Sequence, residues 1–178
     1  MQSYDYSQRA GVRALSWEDC AALAAQLVEQ IAPFQPDCIV GVARAGLFPA
    51  TMVALNLRRD LYPVRISRRI NDEVRYQSPI WHVPVSDAVK GKRVVVVDEI
   101  ADTGDSLEIV RQAVEQQGAS AVISACLVRH TWAKPEPFAV GLISDELIVF
   151  PWDRQVYIDG VWQPHPEIVS AIESQKQA

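Results

Sequence analysis

The segment that most constrains this chain is Arg93–Val97, RVVVV, with four valines in a row. β-Branched residues are stiff at χ1 and favour extended backbone. A strand with one wet face alternates polar and apolar side chains, so consecutive valines mark a strand buried on both faces. Such strands belong to parallel sheets covered by helices. The rest of the 178-residue chain repeats the theme. Cys38–Val42 (CIVGV), Tyr62–Ser67 and Ala121–Val128 read as further core strands, and Trp81–Val85 as a short one. Helical patterns lie between them. Ser16 caps Trp17–Ile31, where Trp17, Cys20, Leu23, Leu27 and Ile31 recur at helical spacing; a second helix runs through Leu57; a third, Asp105–Gln117, is closed by Gly118. Strands alternating with helices predict an α/β fold: a doubly wound, mainly parallel sheet flanked by helices.

The pattern changes after Arg129. Short apolar pieces, Phe138–Ile143 and Leu147–Phe150, are separated by turn residues, which predicts a small β-rich hood followed by a terminal helix or tail. The expectation is a single domain over residues 1–178, with a core at about 15–130 and the hood and tail at about 131–178. Arg68–Pro79 (RRINDEVRYQSP) is polar and lacks a hydrophobic period, so it is expected to be a long mobile loop.

Composition removes several function classes. The net charge is −5, so nothing global draws the chain to nucleic acid or an anionic membrane. An anionic substrate then needs a local site of amides, arginines or a metal. Cys20, Cys38 and Cys126 are odd in number, widely spaced and set among apolar neighbours, which predicts reduced, buried thiols rather than disulfides or a zinc site. Met1–Arg13 lacks the apolar core of a signal peptide, and no apolar run is long enough to span a bilayer. The expected location is the cytoplasm.

The chemistry is concentrated in Val94–Leu107, VVVVDEIADTGDSL. A buried parallel strand ends in two adjacent acids, Asp98 and Glu99, at the carboxyl edge where open α/β sheets bind ligands. Ala101–Ser106 then forms a small-residue loop that opens a helix, a place where amides, hydroxyls and the helix dipole hold phosphate. Two acids for the hydroxyls of a ribose beside a cradle for its 5′-phosphate describe a ribose-5-phosphate reader. An apolar strand followed by acids also occurs in P-loop NTPases, but no G-x-x-x-x-G-K-[ST] run precedes it here.

This stretch resembles the signature that binds 5-phosphoribosyl 1-diphosphate (PRPP) in type I phosphoribosyltransferases. Gly41–Ala50 (GVARAGLFPA) resembles that family's pyrophosphate loop. Phe150–Asp153 (FPWD) resembles the segment closing the base pocket in the xanthine-guanine and hypoxanthine branch, and SWEDCAALAAQL resembles that branch's first helix. The similarity covers roughly Leu15 to Arg154.

The resemblance implies a magnesium-dependent transferase that moves 5-phosphoribosyl from PRPP to a base, with a 6-oxopurine (guanine, xanthine or hypoxanthine) as the acceptor, and a homodimer or homotetramer. By the same resemblance, Asp98 and Glu99 bind the ribose hydroxyls and Mg²⁺. Ala101, Thr103, Gly104, Asp105 and Ser106 hold the 5′-phosphate, and Asp102 stands against the base as general base. For Asp102 a helix N-cap is the competing reading. Arg44, Ala45 and Gly46 receive pyrophosphate, with Arg68, Arg69 and Arg154 as further arginines for it, although a solvated basic edge is an alternative for the pair at 68–69. The family often has a cis non-proline peptide after the first residue of this turn; the isomer of Arg44–Ala45 stays open because Ala45 stands where glycine is common. Asp153 matches an acid serving a second magnesium. Arg129, or alternatively Lys134, falls where a lysine meets the exocyclic oxygen of the base. Leu147, followed by Ile148, replaces the usual stacking aromatic, so the acceptor base is open. His82, His130 and His165 receive no role. The alternatives are a PRPP- or nucleotide-binding regulator on the same fold, and a phosphoribosyltransferase for another nucleophile.

Overall fold

In chain order the elements are β1 (Val12–Ala14), α1 (Trp17–Ile31), β2 (Cys38–Val42), α2 (Leu47–Leu57), β3 (Asp60–Ser67), β4 (Arg69–Ile70), β5 (Glu73–Val74), β6 (Ile80–Val83), β7 (Arg93–Ala101), α3 (Asp105–Gln116), β8 (Ala121–Arg129), β9 (Ala139–Ile143), β10 (Leu147–Val149), β11 (Gln155–Ile158), β12 (Val161–Pro164) and α4 (Pro166–Gln177). The structure, a computed structural model, describes residues 9, 11–70, 73–76 and 78–177. These fall into two compact units, one of Ala21–Ser144 and one formed by the described residues before Ala21 together with those from Asp145 on.

The larger unit is built on a six-stranded sheet of order β6-β3-β2-β7-β8-β9. β3, β2, β7, β8 and β9 run parallel, and β6 is antiparallel to β3 at the edge. The valine run behaves as expected: Val94 to Val97 are fully buried. So is β2, and Gly41 within it is required by packing. A β-carbon there would meet Ala50 Cβ at 2.8 Å and Leu47 Cδ2 at 2.9 Å, so α2 lies directly on the strand.

Three expectations need correction. β7 continues to Ala101, paired with β8 as far as Arg129, so Asp98 and Glu99 lie within the strand and not beyond its end. The two carboxyl groups stay close to each other there, near enough for Glu99 to act on the Asp98 carboxyl. Ala139–Ile143 is not part of a separate hood; it completes the main sheet as the edge strand beside β8. Within the polar stretch 68–79, β4 and β5 pair as a small antiparallel hairpin.

α1 begins with a reciprocal cap. The Ser16 hydroxyl accepts from the Asp19 amide at 3.0 Å, and the Asp19 carboxylate accepts from the Ser16 amide at 2.8 Å. Its buried stripe is Cys20, Ala24, Leu27 and Ile31, while Trp17 is exposed. α2 is apolar nearly all round, yet Phe48 and Leu55 face outward.

In the smaller unit β1 pairs in parallel with β10, β11 and β12 form an antiparallel hairpin, and Leu147, Val149 and Ala171 pack with Ile168 and Ile172 of α4.

Candidate active site

Strand order fixes where a site can form in the larger unit. From β2 the chain moves outward to β3; from β7 it moves the other way, to β8 and β9. β2 and β7 are therefore the neighbours between which the winding reverses, and the crevice at their carboxyl ends is the topological switch point. Two loops meet there: Ala43–Gly46 after β2 and Asp102–Gly104 after β7. The pairing of β2 with β7 ends at Gly41 and Val97, so residues 98–101 lie beyond it.

The first loop is seated on the acids. A β-carbon on Gly46 would lie 2.5 Å from Asp98 Oδ1 and 2.5 Å from the Val42 carbonyl oxygen, so only glycine lets the loop pass this close. Arg44 is exposed, at the outer side of the turn. The cis peptide is Ala43–Arg44, one bond before the Arg44–Ala45 bond left open by the sequence.

Asp98 is 7% exposed, and Glu99 is half-buried. The Glu99 amide donates to Asp98 Oδ1 at 2.8 Å. Burial, and then the neighbouring Glu99 carboxylate, push the Asp98 carboxyl well above the usual carboxylate range. Among the described residues no cation pairs with it.

The second loop ends in Gly104, the N-cap of α3, with φ +94°. Asp102 therefore lies two residues before the cap, and the capping alternative for it falls away. The Asp105 amide donates to Thr103 Oγ1 at 3.3 Å. The amides of Thr103, Gly104 and Ser106 donate to no protein acceptor among the described residues. They form an open nest at the start of a three-turn helix, suited to an anion.

This nest is backed by the strap that follows β8. A β-carbon on Gly104 would meet the Lys134 carbonyl oxygen at 2.6 Å, and the Lys134 amide donates to the Thr103 carbonyl at 2.8 Å. The Lys134–Pro135 bond is cis. Lys134 is exposed and its Nζ bonds Glu136, whereas Arg129 is buried at the end of β8, directly across from Ala101. Of the two candidates at this position, Arg129 is the one beside the Asp102 loop. The residue that sequence reasoning missed is His130. It is 2% exposed, its Nδ1 hydrogen-bonds the Ser144 carbonyl, its amide donates to the Ala101 carbonyl, and it stacks on Trp132 with ring centroids 4.6 Å apart. A lone histidine after an apolar run carried no signal of this.

The other candidates separate from this cluster. The Arg68 carbonyl accepts from the amides of Arg75 and Tyr76, which ties off the hairpin, and its side chain is exposed. The side chain of Arg69 lies outside the described ones. Asp153, Arg154, Leu147 and Ile148 belong to the smaller unit. There Arg154 Nη2 donates to the Leu15 carbonyl at 2.7 Å, an internal tie. Leu147 is spent in the apolar cluster with Val149 and α4, so it does not present its side chain as a cover for a base; Ile148 leaves on the other face of β10.

A reversal crevice carrying two acids, a glycine turn pressed against Asp98 and an open amide nest is a candidate anion site on a doubly wound sheet. The chain belongs to the phosphoribosyl transferase domain family, whose pattern matches residues 14–158. It is similar to the crystal structure of a purine phosphoribosyltransferase from Pyrococcus horikoshii, at 32% identity with a TM-score of 0.74, covering 83% of this chain and 97% of that one. It is 28% identical over 138 residues to a xanthine-guanine phosphoribosyltransferase of Gluconobacter oxydans, covering 76% of this chain and 78% of the relative. An adenine phosphoribosyltransferase of Petrotoga mobilis is 26% identical over 117 residues, 62% of this chain and 68% of the relative. The family implies a pentosyltransferase with PRPP and a base as substrates. Its relatives carry names for both oxo- and aminopurines, and no helix among the described residues is long and apolar enough to cross a membrane.

Proposed function

We propose that the protein transfers 5-phosphoribosyl from PRPP to a 6-oxopurine and releases pyrophosphate. The observation that supports this reading is Arg129, a buried arginine at the end of β8 whose strand partner is Ala101, the residue before Asp102. A guanidinium donates hydrogen bonds and accepts none. It complements the exocyclic carbonyl of guanine, xanthine or hypoxanthine and opposes the exocyclic amine of adenine, which also donates.

In this reading the base nitrogen forms a bond to C1 of the ribose while the C1–oxygen bond to pyrophosphate breaks. Asp102 takes the proton that the base loses. The amides of Thr103 to Ser106 hold the 5′-phosphate, and the Arg44–Gly46 turn and Arg68 take the leaving pyrophosphate. Catalysis is then mainly positioning and charge stabilisation.

The donor set fits Mg²⁺. Among the described residues no three acids, histidines or cysteines gather into a closed cage. A pair of carboxylates, one buried without a cation, suits a hard ion that keeps its waters and shares phosphate oxygens. Asp98 and Glu99 would hold it; when bound, the metal would neutralise charge on the departing pyrophosphate.

A homo-oligomer is supported by α2, whose Phe48 and Leu55 stay exposed on an otherwise apolar helix. The testing experiment measures pyrophosphate release from PRPP and Mg²⁺ with guanine, xanthine, hypoxanthine and adenine. Turnover with a 6-oxopurine at least tenfold above adenine is expected, about 1.4 kcal/mol of discrimination at the transition state. Preference for adenine overturns the reading, and binding of PRPP with no turnover on any base favours the regulator.

A further inference from the structure

The Arg129 Nη1 atom is buried and makes no hydrogen bond among the described residues. Glu136 Oε1 lies 3.5 Å from it. At that separation the two form an ion pair without a proper hydrogen bond. Charge and hydrogen-bonding capacity are thereby separated: a carboxylate shared with Lys134 partly offsets the cation, while the N–H groups on Nη1 remain unspent. Glu136 is held in this position by the strap. Lys134 Nζ bonds its carboxylate, and the Lys134 backbone is fixed to the phosphate nest through Thr103.

We infer that Glu136 is a positioning residue that sets the charge preference of the base site. With the carboxylate against Arg129, the guanidinium offers donors to a neutral carbonyl-bearing base and a reduced positive charge to an ionised one. Without it, the same guanidinium is an uncompensated, nearly buried cation, which disfavours a neutral ligand and favours an anionic one. Glu136 is half-exposed, so solvent moderates the effect. The inference rests on the reading of Arg129 as the base contact.

The test compares hypoxanthine with xanthine at mildly alkaline pH, where hypoxanthine is largely neutral and xanthine largely the anion. Kinetics are measured for wild type, Glu136→Gln and Glu136→Asp. In Glu136→Gln, the KM of hypoxanthine relative to that of xanthine should rise roughly fivefold, while kcat and the KM for PRPP stay within about twofold. Glu136→Asp should restore much of the wild-type ratio. An unchanged ratio overturns the inference. So does a loss shared equally by both bases and PRPP, which would make the strap merely structural. A wild type that turns over neither base overturns the function proposed above, and this inference with it.

Discussion

Gly46 and Asp98, from loops and strands far apart along the chain, approach so closely that a single added β-carbon would sit 2.5 Å from the carboxylate. The clash is with a buried strand residue and with the Val42 carbonyl, neither of which can swing aside. Gly46→Ala should therefore cost roughly 1–3 kcal/mol of stability, the usual scale of overpacking. It should also displace Asp98 and depress PRPP turnover more than tenfold, since a small misplacement of positioning groups can cost about a hundredfold. Urea denaturation and steady-state kinetics check both, and unchanged stability would show that the loop yields.

Asp102 is expected to act as general base. Because the N-cap of α3 is Gly104, Asp102→Asn should leave the thermal midpoint nearly unmoved. Turnover should fall by roughly 10²-fold or more, in kcat as well as kcat/KM. A variant with near wild-type kcat would remove Asp102 from the chemistry.

Gly104→Ala tests the phosphate nest. The position has φ +94° and rests on the Lys134 carbonyl, so alanine meets both a left-handed backbone and a clash. The left-handed conformation alone costs roughly 1–2 kcal/mol. Ribose 5-phosphate should raise the melting temperature of wild type and not of the variant. Equal shifts in the two proteins would place the phosphate elsewhere.

The proposed magnesium dependence rests on the acid pair on β7. Excess EDTA should abolish PRPP turnover, and added Mg²⁺ should restore it. Undiminished activity in EDTA would rule out the metal.

Much of this was legible in advance, for identifiable reasons. A run of valines can satisfy only a strand covered on both faces, and D-T-G-D-S after it marks a loop that opens a helix. What could not be read was long-range. The extension of β7 through Asp98 and Glu99 depends on β8 continuing to Arg129, and hydrophobic pattern does not reveal strand pairing. Ala139–Ile143 looked like part of a hood because its place in the sheet depends on β8, not on its own sequence. Leu147 was read as a base cover, but its destination was decided by the α4 residues that pack on it. His130 and Glu136 acquire meaning only from the strap, whose course no spacing rule anticipates.

The three thiols provide a test independent of the active site. Burial pushes Cys20 up to about 11 and Cys126 up to about 12, and it raises Cys38 as well. All three stay protonated in the native protein across the physiological range; stability falls only as pH rises past the ordinary thiol value of 9.0, where the unfolded chain loses thiol protons that the native protein keeps. The native protein should react with a thiol reagent at mildly alkaline pH at least about a hundredfold more slowly than the unfolded chain. Rapid labelling of native protein would mean that one of these sites opens readily.

The reversal of winding between β2 and β7 has a use beyond placing a ligand. A cut at Lys90–Gly91, a turn where Gly91 has φ +73° and open space around it, leaves the Ala43–Gly46 loop on the first fragment. Asp98, Glu99 and the Thr103–Ser106 nest go with the second. The same cut parts β1 from β10, its partner. Neither fragment carries a whole crevice, so binding of a sugar phosphate becomes a readout of reassembly. Fused to two proteins that associate, the halves make a complementation reporter that stays silent until its carriers meet.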